Sequence, residues 1–461
     1  MTTEELRESL LMESKNGYAL LNSEQRAQMN AYAKRYMAFM NACKTEREAT
    51  AWAIEKAESL GFQPFTPGMS IAPGNKIYYN NRDKSIILAI IGKKSLAEGA
   101  NICAAHVDSP RLDLKPNPLY EDGEIAYFKT HYYGGIKKYQ WPTIPLALHG
   151  VVCRKDGSKV TITIGENDDD PVLMVTDLLI HLAADQMQKP LAKGIAAEQL
   201  NVILGTEPLE GEGSELVKLN IMKWLNETYG LIEADFQSAE LTIVPAGKCR
   251  EVGLDRSLIA AYGQDDKVCA YAELEAILSI ENPEKPAVCI LADKEEIGSI
   301  GISGMKSHYF EHFIGGLCDI QEVKLEDCFA NSFCLSADVS NAFDPNWPEV
   351  SDRRNNSQLN YGVSICKYTG ARGKSGASDA SAEAMHHIRT TFNNAGILWQ
   401  IATLGKVDVG GGGTVAGFMA NRNIVTVDAG VPVLSMHAPI ELAAKLDAYM
   451  CMKACQAIYL A

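Results

Sequence analysis

Residues 101–108 read Asn-Ile-Cys-Ala-Ala-His-Val-Asp. The run Asn101–Ala105 has the length and apolar character of a buried strand, and it ends in His106-Val107-Asp108. The same phrase returns elsewhere. Ala287–Ala292 (AVCILA) ends in Asp293-Lys294-Glu295-Glu296, Ser332–Ala337 (SFCLSA) in Asp338, and Pro432–Met436 (PVLSM) in His437. Ser85–Gly92 (SIILAIIG) and Asn423–Val427 are further strand candidates, and Asp266–Ile280 reads as a helix. Strand–helix alternation of this kind predicts an α/β sheet covered by helices. In open α/β sheets the working site lies beyond the carboxyl ends of the strands. Four strands therefore deliver His106, the Glu295-Glu296 pair, Asp338 and His437 to one edge, and Asp265, just before a helix, is a fifth candidate.

Outward from this pattern the texture changes twice. The first sixty residues read as helical: Thr2 and Glu5 form a capping-box start, and Ser23–Gly61 carries helix formers without proline. Between about Leu114 and Ala246 tyrosine, threonine and proline become common and alternating stretches such as Lys159–Ile164 (KVTITI) occur. This predicts a β-rich insertion with one helix, Pro171–Gln188. No solenoid-type repeat is present.

Composition narrows the function. The chain has 461 residues, with 43 Lys and Arg against 58 Asp and Glu, a formal net charge of −15. That balance speaks against a general nucleic-acid binder, which needs a basic face. No run of about 18 apolar residues predicts a membrane span. Met1–Arg7 lacks the features of a signal peptide, so the expected location is cytoplasmic. The 12 cysteines contain no Cys-x-x-Cys pair and are expected to be reduced core residues.

Two imidazoles and several carboxylates at one sheet edge suit divalent cations. Zinc accepts both donor types and, in catalytic sites, keeps a position open for water. A carboxylate shared by two metals reduces the ligands each needs, and such a pair can support hydrolysis. Hydrolysis also needs a carboxylate free to move a proton. Glu295 and Glu296, as neighbours, can diverge into one ligand and one base. His106 and Asp108 share a strand face, so Asp108 can orient the imidazole. Each signal has a bland alternative: a satisfied core histidine, a solvated Glu-Glu pair, an Asp that caps a turn.

Other motifs compete. His308-Tyr-Phe-Glu311-His312 matches an inverted zinc-protease helix motif on a short stretch. Gly373-Lys374-Ser375 lacks the first P-loop glycine, because Tyr368 stands there. Gly410–Gly413 reads as a place of close backbone approach. The acidic run Glu166–Asp170 lacks EF-hand register.

Taken in order, His106-Val-Asp-Ser-Pro110, Gly263-Gln-Asp265-Asp266, Asp293-Lys-Glu295-Glu296-Ile-Gly-Ser299, Ser336-Ala-Asp338 and Ser435-Met-His437 resemble the aspartyl aminopeptidase family of metallopeptidases, bacterial branch. The likeness extends over nearly the whole chain, including Asp177-Leu-Leu-Ile-His181-Leu182 and Val407–Thr414. The resemblance implies a three-layer α/β/α zinc-peptidase domain, residues 1–113 and 247–461, interrupted by a β-rich dimerisation domain, residues 114–246. It implies two divalent metal ions per subunit, zinc first and cobalt or manganese as alternatives. His106 and Asp338 would hold one, Glu296 and His437 the other, with Asp265 bridging. Glu295 would be the general base and Asp108 would orient His106. His181 would reach a neighbouring subunit's active site, and Lys374 would contact substrate. Peptides would be the substrates, and the subunits would form dimers and a tetrahedral dodecamer, with neither nucleic acid nor membrane as partner. The sequence departs at Asp344, where animal relatives carry His; an anion lining the pocket would repel an acidic substrate side chain. The preferred N-terminal residue is therefore acidic or neutral. The rivals are a related dinuclear deacylase or carboxypeptidase, a single-zinc protease built on His308, Glu311 and His312, and a binding particle with a vestigial site.

Overall fold

The computed structural model describes residues 1–461. Its central sheet has nine strands. Three neighbours run parallel and in register at its middle: Ala287–Ala292, Asn101–His106 and Phe333–Ser336, followed by the parallel strand Val425–Gly430. Antiparallel strands extend it on both sides, Ser85–Ile90 on one and Val363–Cys366 on the other. These strands are continuous apolar runs because both faces are covered. Ile86, Leu88 and Ile90 enter one core, whereas Ile87 and Ala89 enter the other. Helices Ser23–Ala42, Glu46–Ser59, Gln264–Leu278, Ala382–Asn394 and Lys445–Tyr459 bury their apolar residues in the first core. Tyr309–Ile320 covers the second. The result is three layers.

A second sheet of seven antiparallel strands is built from residues between Arg111 and Pro245. It has an apolar core of its own, including Trp141, Phe128, Leu148 and Ile243. A third, five-stranded sheet contains Leu258–Ala261, Glu441–Ala444, Pro432–Leu434 and Ser340–Asn341.

Local signals explain several boundaries. The capping box of Thr2 and Glu5 is present. The helical reading of Ser23–Gly61 resolves into two helices, broken where Thr45 caps the second with Glu48 as its reciprocal partner. All 12 cysteines are free and most are buried.

Two expectations fail. Pro171–Gln188 is not one helix: it contains a short strand at Met174–Val175, a single turn at Ile180–Leu182 and another at Ala184–Met187. Leu178, Leu179, Ile180 and Leu182 are exposed, so no buried face stabilises a longer helix. The Asp177 carboxylate accepts from the Leu178 N–H and the Gln186 side chain instead, a local alternative to helical pairing. Second, Pro432–Met436 does not join the central sheet. Its strand, Pro432–Leu434, pairs in the small sheet with Ser340–Asn341 and Glu441–Ala444.

No helix is long and apolar enough to cross a membrane.

Candidate metal centre

The three central parallel strands end side by side, with His106 in register with Ala292. His106 is the last residue of its strand, Glu295 and Glu296 follow Ala292 on a single helical turn, and Asp338 follows Ser336. Gly430 lets its strand pass against the Asp338 backbone: a Cβ there would sit 2.0 Å from the Asp338 carbonyl oxygen. His437 arrives from the loop that joins the small-sheet strands Pro432–Leu434 and Glu441–Ala444. Asp265 precedes the regular part of its helix, with non-helical angles at Asp265 and Asp266.

The side chains converge. The Asp265 carboxylate lies between two imidazoles, Oδ1 at 3.2 Å from His106 Nε2 and Oδ2 at 3.1 Å from His437 Nε2. Two overlapping groups result, His106–Asp265–Asp338 and Asp265–Glu296–His437, each with donor atoms within 4.8 Å of one another. Asp265 belongs to both. His106 Nε2 is 4.0 Å from Asp338 Oδ1, and His437 Nε2 is 3.5 Å from Glu296 Oε1. Glu295 Oε2 stands 4.0 Å from His106 Nε2.

Charge balance is lopsided. Glu296 Oε1 and Asp266 Oδ1 are buried without a hydrogen-bond partner, which is costly for a carboxylate. Burial pushes Glu296 and Asp338 well up, and neighbouring carboxylates add to it. Burial likewise raises Glu295 to about 7, with Asp108 and Asp265 adding and the imidazoles opposing. Burial also acts to raise Asp265, but His106 and His437 outweigh it and hold that carboxyl well below its usual range. A buried imidazole and carboxylate set with an orphaned oxygen and no basic side chain hydrogen-bonded to it fits a bound zinc ion.

Surrounding contacts fix the ligands. His106 Nδ1 lies 3.0 Å from the Asp108 carbonyl and 3.4 Å from its carboxylate. The Asp108 carboxylate also accepts from the Glu295 and Glu296 N–H groups, at 3.1 and 3.2 Å, so it holds the glutamate turn as well as facing the imidazole. His437 Nδ1 lies 2.8 Å from the Gly135 carbonyl. Glu441, fully buried, accepts from the Asp265 and His437 N–H groups at 3.0 and 2.6 Å. Sequence reading missed Glu441 and Gly135. The first carried a signal, a charge opening the apolar run Glu441–Ala444; a backbone carbonyl carries none.

A cavity of about 700 Å³ opens on this centre, walled by Gly411–Gly413 and Thr414 on one side and Gly135–Lys137 on the other. The glycine run lies against other backbone: a Cβ on Gly410 would meet the Leu404 carbonyl at 1.7 Å. An adjoining cavity of about 440 Å³ shares Thr369 and Leu404 and holds Arg372, Lys374 and Lys406. Lys374 sits over the Tyr368 ring and pairs with Asp379 at 3.1 Å. Asp344 lines neither cavity; its carboxylate accepts from the Asn346 N–H. His181 is exposed and apart from the cavity of its own chain. The rival motif forms no metal-donor group: His308 is 91% exposed with Nδ1 3.3 Å from Glu311, and Glu311 is taken up by Arg422 at 2.8 Å.

Comparison with known proteins gives the family and the fold. The profile of the aminopeptidase I zinc metalloprotease family (M18) matches residues 39–459. A probable M18 family aminopeptidase 1 of Clostridium acetobutylicum is 49% identical over 449 residues, 95% of this chain and 97% of that protein. The crystal structure of an M18 aminopeptidase from Thermotoga maritima superposes with a TM-score of 0.94 at 44% identity, covering 97% of this chain and 99% of the other. A Saccharomyces cerevisiae dodecamer shares the fold, with a TM-score of 0.75 at 19% identity over 93% of this chain and 97% of that one.

Proposed function

The chain belongs to the M18 family of aminopeptidase I zinc metalloproteases and is a zinc aminopeptidase, a hydrolase of peptide bonds; from that premise we propose that its centre holds two metal ions per subunit and removes single residues from peptide N-termini. The observation that carries this is the sharing of Asp265 between the two donor groups. His106 and Asp338 would hold one ion and Glu296 and His437 the other, with Asp265 common to both donor groups. When bound, the metal pair supplies Lewis acidity to the scissile carbonyl and to the attacking water.

The protein's own residues do the rest. Glu295 takes a proton from the water as its oxygen attacks the carbonyl carbon, and returns it to the leaving nitrogen as the C–N bond breaks. The Asp108 carboxylate fixes the turn that carries Glu295 and Glu296 by accepting from both N–H groups. A free α-amine would be held by one metal ion together with the carboxylates near it, which would restrict cleavage to the first residue. Arg372, Lys374 and Lys406 outnumber Asp352 in the lining of the adjoining cavity and favour acidic over basic side chains there, with Lys374 a substrate contact. Asp344 does not oppose this, since it stands outside both cavities.

We also propose the division into a metallopeptidase domain, residues 1–113 and 247–461, and a dimerisation domain, residues 114–246. The exposed apolar run Leu178–Leu182 suits an intersubunit surface, which would carry His181 to a neighbour's cavity. Dimers would assemble into a tetrahedral dodecamer, as the yeast relative's twelve subunits suggest. The working compartment is the cytoplasm.

The test is mass spectrometry of a peptide pool varied only at the N-terminal residue, with N-acetylated copies, after incubation with zinc-loaded protein. Loss of one residue from free ends alone, acidic or neutral ends first, is the expected result. Shortening of acetylated copies or of C-termini would point to the deacylase or carboxypeptidase rival; no shortening with zinc, cobalt or manganese would refute the catalytic reading.

A further inference from the structure

The second sheet touches the metal centre at one place. Its strand Ile125–Tyr133 runs towards the edge where the central strands end, and its last residue places a phenol against Asp108. Tyr133 Oη donates to Asp108 Oδ2 at 2.7 Å, both groups buried. The same Oδ2 accepts from the Glu296 N–H, while Oδ1 accepts from the Glu295 N–H and lies 3.4 Å from His106 Nδ1. One carboxylate thus faces a metal ligand of the first group, carries the main chain of a ligand of the second, and carries that of the base. The phenol is the one side-chain donor beside the imidazole that reaches it.

The phenol is itself fixed. The Arg111 guanidinium lies over its ring at 4.2 Å. Arg111 donates to Glu46 of the helix Glu46–Ser59 and to Asp113 of the second sheet, both at 2.8 Å. A buried hydroxyl on a carboxylate is a charge-assisted hydrogen bond with little freedom to rotate away. Two residues on, Gly135 presents its carbonyl to His437 Nδ1. Residues 133–135 therefore contact the support of one donor group, Asp108, and a member of the other, His437.

We infer that Tyr133 is a positioning residue: through Asp108 it sets the Glu295–Glu296 turn and the His106 ring, so the second sheet holds the geometry of the metal centre. This rests on the reading of His106, Glu296 and Glu295 as ligands and base. The consequence is physical coupling. A displacement of the seven-stranded sheet, such as subunit contact would impose, moves the phenol and is felt at the turn.

The experiment uses the full-length protein and its Tyr133→Phe variant, which keeps the ring under Arg111. Zinc affinity is measured by competition with a chromophoric chelator, and the visible spectrum of the cobalt-loaded protein reports ligand geometry. Loss of such an outer support is expected to weaken metal affinity roughly 10–100-fold, to change the cobalt spectrum, and to lower kcat more than it changes KM. The same substitution made on Asp108→Asn should then add little, because the two residues act in series. Wild-type affinity and spectrum in Tyr133→Phe would overturn the inference. So would a full, additive loss on Asp108→Asn, which marks a packing role independent of Asp108. If the unmodified protein binds no zinc, the metal-site reading itself falls and the inference with it.

Discussion

Two arrays of imidazole and carboxylate, each built around a buried histidine, lie in this molecule, and they are built to opposite ends. At the junction of the helix Glu46–Ser59 with the second sheet, His149 Nδ1 meets Glu48 at 2.7 Å and Nε2 meets Glu166 at 2.9 Å. Lys44 Nζ completes the set, 2.6 Å from the same Glu166 oxygen, and donates to the Pro245 carbonyl. Every charge there has a partner. At the end of the central sheet, two imidazoles face five carboxylates, no lysine or arginine is hydrogen-bonded to them, and Glu296 leaves an oxygen orphaned. The first array neutralises itself and joins two sheets. The second is unfinished without a cation. Residue types alone do not separate them; the presence of Lys44 and the count of acids do.

The sharpest way to break this contrast is at the base. Glu295→Gln keeps the shape and removes the proton acceptor, so turnover should fall by about 10²–10⁴ while metal content by elemental analysis stays unchanged. Normal turnover would remove Glu295 from the mechanism. Asp265→Asn is next: it weakens both donor groups at once, so bound metal after dialysis should drop at least roughly tenfold. If instead it kept a full complement, the shared-carboxylate geometry would not be what binds.

The self-neutralised array should respond in stability, not activity. His149→Leu takes one partner from each of two half-buried carboxylates, which keep the Lys44 and Thr45 donors, and should cost about 1–3 kcal/mol in denaturant unfolding, with zinc content intact. Its pH behaviour has a definite sign. Burial acts to lower His149, but Glu166 and Glu48 outweigh it and raise it to about 9. The folded state then binds more protons than the unfolded state between about pH 6.5 and 9. This contribution is complete below pH 6.5 and is lost as pH rises through about 9. The unfolding midpoint should fall over that window, and His149→Leu should flatten the slope. A slope unchanged by the substitution would refute the pairing. The smallest effect belongs to the exposed His308 of the rival motif: His308→Ala should leave kcat/KM within about twofold, as an exposed substitution shifts energies by roughly 0.5 kcal/mol or less.

Much of the centre was legible because strand ends announce themselves. An apolar run that stops at His106, at Asp338 or just before Asp293–Glu296 marks both the sheet and the residues at its edge. The reading erred where a run resembled a strand of the central sheet but paired elsewhere, as at Pro432–Leu434, and where the apolar run Leu178–Leu182 found no partner within the chain to make it a helix. Both errors have one cause: pairing and burial are non-local, and pattern reports only the capacity for them.

The sequence by itself determined the strands, the caps and the chemistry available at each strand end, because those depend on neighbours a few residues away. Only the tertiary structure decided which carboxylates share a charge and which are held apart. Tyr133 reaches Asp108, Glu441 spans Asp265 and His437, and Lys44 neutralises Glu166. Such contacts join segments distant in the chain, and a buried charge takes its behaviour from the partners that folding brings to it.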